Sequence, residues 1–167
     1  MNRRLFVSAL ASLAGVSFSA TNLVAQTKVR MEVWKDPNCG CCKEWVSHLE
    51  ANGFQVLVSD SGNTAARARL GIPEKLGSCH TAQVGGYAIE GHVPARDIQR
   101  LLKERPAAIG LAVPGMPVGS PGMDAPLYGG RKDPFDVLLV QRDGLTQVYR
   151  AYNRTSYWDG RAANRLI

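Results

Sequence analysis

The sequence predicts an α/β fold, and three observations carry that expectation. Short alternating or apolar runs bounded by Gly, Pro and Asn read as strands. Segments with apolar residues three or four apart read as helices, and the two kinds alternate between positions 29 and 102. A length of 167 residues suits one domain, since domains typically run to about 100–200 residues. Apolar residues at 45% and charged residues at 20% exclude a disordered chain.

Val29-Arg30-Met31-Glu32-Val33-Trp34 alternates apolar and polar residues, the pattern of a half-buried strand. Asp36-Pro37-Asn38 breaks it and sets the turn that exposes Cys39. From Cys39 the pattern turns helical through Cys42, Trp45, Val46 and Leu49, and Asn52-Gly53 stops it. Trp34 and Trp45 flank this stretch and are expected to pack strand against helix. Residues 54–59 read as a second strand. Thr64 is expected to cap a short helix through Ala65, Ala68 and Leu70, ended by Gly71-Ile72-Pro73. Residues 81–84 and 87–89 read as strands of a hairpin turning at Gly85-Gly86. Pro94 suits the first turn of a helix whose apolar face holds Ile98, Leu101 and Leu102.

This order, βαβαββα, is thioredoxin-like, and it sets the cysteine cluster between the first strand and the first helix. Connection rules make the first two strands a parallel pair. Residues 110–131 are rich in Gly and Pro, lack periodicity and read as a long Gly/Pro/Met loop. Residues 135–140 and 146–149 read as a closing hairpin around Asp143-Gly144. The chain thus divides into a signal peptide (1–25), a domain (28–150) and a polar, aromatic tail (151–167).

The N-terminus carries the export expectation. Asn2-Arg3-Arg4 is basic, residues 5–18 form a 14-residue run of apolar and small residues, and Ala20 or Ala25 suits cleavage. That run is short of the about 20 residues needed to span a bilayer, so no stable membrane insertion is expected after cleavage. Asn2-Arg3-Arg4-Leu5-Phe6-Val7 also fits a twin-arginine signal. The expected location is the periplasm. Without Arg3 and Arg4 the basic residues fall to 18 against 14 acidic ones, too small and scattered an excess for nucleic acid.

All 4 cysteines lie in the expected mature chain, at Cys39, Cys41, Cys42 and Cys79. An even number in an oxidising compartment first suggests structural disulfides. Three within four residues cannot staple distant segments, so redox chemistry or metal binding fits better. Cys39 and Cys42 form a C-x-x-C pair at a helix start, where free N–H groups and the helix dipole favour thiolates. That pair alone would suit a thiol–disulfide oxidoreductase, with Cys39 and Cys42 catalytic. Cys41 would compete for a mixed disulfide, but it completes a dense set of soft ligands. Cys79-His80 precedes the third strand, which in a thioredoxin-like fold faces the first helix across a cleft. Cys79 is then a fourth thiolate, and His80 a nitrogen ligand or proton carrier.

Met116 and Met123 sit in the turn-rich loop, where neither neighbouring pattern offers a buried face. Thioethers take Cu(I) and ignore hard cations, so with the thiolates they point to copper rather than zinc. A zinc or iron–sulfur site could use the cysteines but not the methionines. Met31 belongs to the strand pattern and the core. His92 is equally a ligand or a surface or capping group, His48 is expected to be exposed, and Lys43 can favour thiolates or simply be solvated.

Cys39-Gly40-Cys41-Cys42-Lys43-Glu44-Trp45, Leu76-Gly77-Ser78-Cys79-His80-Thr81-Ala82 and the loop from Val113-Pro114-Gly115-Met116-Pro117 to Pro121-Gly122-Met123 together resemble the exported copper-resistance proteins of the CopG type. The resemblance covers roughly residues 28 to 150. It implies a thioredoxin-like domain handling copper in the periplasm, with Cys39, Cys41, Cys42 and Cys79 forming the site. His80, Met116 and Met123 would lie near it. The expected cargo is copper as Cu(I), and the expected partners are copper ions and periplasmic copper efflux or chaperone proteins.

Overall fold

The computed structural model describes residues 28–154; the expected signal peptide and the tail beyond residue 154 lie outside the described residues. The fold is mixed α/β. In chain order come β1 (Val29–Lys35), α1 (Gly40–Ala51), β2 (Phe54–Ser59), α2 (Thr64–Arg69), β3 (His80–Val84), β4 (Tyr87–Glu90), α3 (Ala95–Glu104), β5 (Ala108–Ala112), β6 (Phe135–Gln141) and β7 (Thr146–Tyr152). The strands form one seven-stranded sheet in the order β2-β1-β3-β4-β5-β6-β7. β1 and β2 run parallel, as do β4 and β5, and the other neighbours are antiparallel.

Side-chain alternation along the strands divides the apolar residues between two faces. Ile89, Leu111 and Leu139 join Trp45, Leu49, Ile98 and Leu101 of α1 and α3 in the main core. Their chain neighbours Ala88, Ala112 and Val140 pack with Ile72 and Leu76 in a second cluster. Met31 is fully buried in the main core, as the strand pattern predicts. Both glycines of the Gly85-Gly86 turn have positive φ, +55° and +88°, which a two-residue hairpin of this hand requires.

Several local expectations need correction. Residues 108–112, largely assigned to the loop, form β5 between β4 and β6. Gly110, which made the segment read as loop, is what lets it pair: a Cβ there would stand 1.7 Å from the Ala88 carbonyl oxygen. Asn63, not Thr64, occupies the N-cap position of α2, and its side chain binds elsewhere. Pro94 is the N-cap of α3 rather than its first-turn residue. Trp45 packs in the core, but Trp34 lies on the other face of β1 with the Arg69 guanidinium 4.8 Å above its ring. β7 runs to Tyr152, two residues into the segment assigned to the tail. Single 3₁₀ turns at Glu74–Leu76 and Pro126–Tyr128 had no counterpart in the expected order.

Candidate metal centre

The Asp36 carboxylate accepts the Asn38 N–H at 2.8 Å, and the Asp36 carbonyl accepts the Cys39 N–H at 3.1 Å. This turn delivers Cys39 to the N-cap of α1, where its side chain caps nothing and is free for other chemistry. One helical turn brings Cys42 back beside it, and the two are joined as a disulfide with a Cα separation of 5.3 Å. Cys41, between them in sequence, is a free thiol whose Sγ lies 3.5 Å from that of Cys39.

Sheet topology supplies the fourth sulfur. β1 and β3 are antiparallel neighbours in which Lys35 stands opposite His80. The residue entering β3 therefore meets the residues leaving β1. Cys79 Sγ lies 3.7 Å from Cys41 Sγ, and the Cys79 carbonyl oxygen lies 3.5 Å from Cys42 Sγ. The four sulfurs, from two stretches of chain, all lie within 4.8 Å of one another.

Two histidines flank Cys79. His80 Nδ1 and His92 Nε2 each stand 3.3 Å from its Sγ. Both rings are fully buried, with centroids 4.8 Å apart, and His80 also lies 4.2 Å from the Trp45 ring. Trp45 is held by its indole N–H, which donates to the Val93 carbonyl at 2.9 Å. His92 Nδ1 is 2.9 Å from the Pro121 carbonyl, which can only accept, so the proton sits on Nδ1. In the neutral ring Nε2 then carries the lone pair, aimed at Cys79. Burial pushes His80 down to about 3, with His92 adding to the shift, and burial likewise lowers His92. Burial, reinforced by Cys41, pushes the Cys79 thiol up to about 12. Burial thus favours neutral imidazoles around a protonated thiol, and a metal ion binding there would have to displace that proton.

The 113–134 loop closes over this group. Gly122, with φ +84°, leaves no room for a side chain: a Cβ would fall 2.6 Å from the Cys41 carbonyl oxygen and 2.8 Å from the Trp45 nitrogen. Of the loop methionines, Met123 is buried, with the Tyr128 hydroxyl 3.6 Å from its sulfur, whereas Met116 is 52% exposed. Lys43 is exposed on α1. His48 is not exposed as expected: it is half-buried, and its Nε2 accepts the Ala95 N–H at the start of α3. His92, left open by the sequence, belongs to the site. Glu90 and Arg67, which form an ion pair just beneath it, were not singled out at all. The acidic end of an otherwise apolar strand was the available signal for Glu90.

A family model described as a protein of unknown function, DUF411, matches residues 76–123, which hold Cys79, His80, His92 and the methionine loop. A search of the curated proteins gives no match. Two solved structures, titled copper resistance protein copG, Form 1 and Form 2, each match at 48% identity and a TM-score of 0.69. Each alignment covers 75% of this chain and 98% of the other. At that identity and coverage, and with its cysteines gathered at one sheet end, the chain belongs to the CopG family of copper resistance proteins.

Proposed function

We propose that this protein binds Cu(I) in the periplasm as part of copper resistance, through the thiolates of Cys39, Cys41, Cys42 and Cys79. The observation that carries this reading is the gathering of four sulfurs within 4.8 Å. Closely spaced thiolates are soft, can bridge metal ions and favour Cu(I) over hard cations. His80 and His92 add nitrogen donors around Cys79, and Met116 and Met123 stand on the covering loop as outer soft donors. The strand order β2-β1-β3-β4 with α1 between β1 and β2 supports a thioredoxin-like reading of residues 28–150. Export rests on the basic, apolar and small-residue pattern of residues 1–25, with the twin-arginine route open to Arg3-Arg4. Partners in that compartment would be copper efflux or chaperone proteins.

The Cys39–Cys42 disulfide favours a redox element in the same site. When the reduced pair forms its S–S bond it releases two electrons and two protons. Those electrons balance the reduction of two Cu(II) to two Cu(I). The same disulfide supports a second reading, thiol–disulfide exchange with proteins, in which Cys39 and Cys42 suffice and Cys41 is dispensable.

The test is an anaerobic titration of the reduced protein with Cu(I) against a competing chelator, beside Cys41→Ser. Wild type is expected to compete, and the variant to lose more than the about 10–100-fold typical of disturbing an outer-shell partner. Equal affinities would sink the copper site. Absent copper competition, together with a reversible Cys39–Cys42 disulfide, would establish protein thiol exchange instead.

A further inference from the structure

The stretch of chain that delivers Cys79 is held from both sides by an ion pair whose acid is fully buried and whose base is mostly so. Glu90 is fully buried at the end of β4. Its Oε1 accepts the Ser78 N–H at 2.7 Å and the Arg67 Nε–H at 2.8 Å, and its Oε2 accepts the Thr81 hydroxyl at 2.6 Å. Arg67, reaching in from α2, uses its Nη2 to donate to the Ser78 carbonyl at 2.6 Å. Asn63 Nδ2 donates to the same carbonyl and to the Thr81 oxygen, each at 3.1 Å. The Ser78 hydroxyl donates to the Gly115 carbonyl at 2.5 Å, tying the start of the methionine loop to the same residue.

Burying a carboxylate is costly unless it is paired and hydrogen-bonded; here Arg67 pairs it, and its other two bonds, to Ser78 and Thr81, bracket Cys79. Burial raises the Glu90 carboxyl, while Thr81, the Ser78 amide and Arg67 all work to keep it charged. Core packing alone does not call for an acid at this point. Gly77 leaves room for the guanidinium, since a Cβ there would stand 2.9 Å from Arg67 Nη1.

We propose that Arg67 and Glu90 are positioning residues for the metal centre: together they clamp the two peptide groups flanking Ser78 and so hold Cys79 at bridging distance from Cys41. This rests on the copper-site reading for its purpose, but not for its geometry. A planar guanidinium can serve Glu90 and the Ser78 carbonyl together through separate N–H groups. A lysine ammonium keeps the charge opposite Glu90 without that fixed two-sided fork.

Arg67→Lys is therefore the first variant, because it leaves no unpaired buried charge, and Arg67→Met with Glu90→Gln is the second, because it removes both charges. Two readouts are needed. One is Cu(I) affinity of the fully reduced protein. The other needs no copper: capture of a trivalent arsenical by the Cys41–Cys79 pair in protein retaining its Cys39–Cys42 disulfide, read by mass spectrometry. Circular dichroism and thermal unfolding identify variants that stay folded.

A folded variant is expected to lose about 10–100-fold in both readouts, the range seen when outer-shell support is removed from a metal site. A folded variant of either kind that captures arsenical and copper like wild type overturns the clamp. If wild type captures the arsenical but no copper, and Arg67→Lys loses that capture, the clamp stands and the copper reading falls.

Discussion

His48 lies two turns into α1, and its Nε2 accepts the Ala95 N–H, one of the first amides of α3. A proton on Nε2 would abolish that bond, and burial already holds His48 below the ordinary imidazole value, with Asp124 partly opposing. The sign follows from linkage. A histidine depressed in the folded state contributes stability above its unfolded pKa of about 6.5, and that contribution fades as pH falls below it. Urea unfolding between pH 7.5 and pH 5, on the order of the range where histidine titrates, should show wild type losing stability on acidification. His48→Gln should lose it with a shallower slope, and identical slopes would remove His48 from the account. Spacing put His48 on a helix but could not tell that α3 starts against it, because helix-to-helix docking leaves no mark in local periodicity. His92 was undecidable for a related reason. Its partners Cys79 and Pro121 lie 13 and 29 residues away in sequence.

Elements were legible where the signal is local. The strands at 29–35 and 54–59, the helix after Cys39 and the Gly85-Gly86 hairpin all lie where apolar spacing and turn residues put them. β5 was hidden because its one glycine is demanded by a neighbour, Ala88, rather than by its own backbone. The cysteine cluster was legible as a cluster, whereas its junction with Cys79 needed the β1–β3 pairing. The covering loop was legible as irregular chain but not as a packed element. Its contact through Gly122 can be tested directly. In Gly122→Ala the new methyl meets backbone of α1 at a positive φ, so neither side can yield cheaply. We expect a loss of about 1–3 kcal/mol in urea unfolding. Faster amide exchange over residues 116–125 should accompany it. Wild-type stability with unchanged exchange would mean the loop does not depend on this contact.

For the whole molecule, the question is whether opening the disulfide to free all the sulfurs endangers the fold. Cys39 and Cys42 are only three positions apart, so their link closes a very short loop. In the chain-entropy account such a loop restrains the unfolded chain by about 2 kcal/mol. Most of the stability should instead come from the sheet and its two apolar faces, which do not involve the disulfide. Urea unfolding with and without reductant should therefore differ by no more than about 2 kcal/mol. A reduced protein that unfolds outright would make the disulfide a structural staple and weaken any role in electron transfer.

The unequal exposure of the loop's two thioethers has a chemical corollary under peroxide. Oxygen added to the sulfur of Met116 would create a sulfoxide dipole already in water, leaving the packing below untouched. The same oxygen on Met123 would have to be accommodated against Tyr128, beside the glycine that seats the loop on α1. The outer sulfur can thus take up oxygen without disturbing the packing, while the inner one is shielded by the packing it supports.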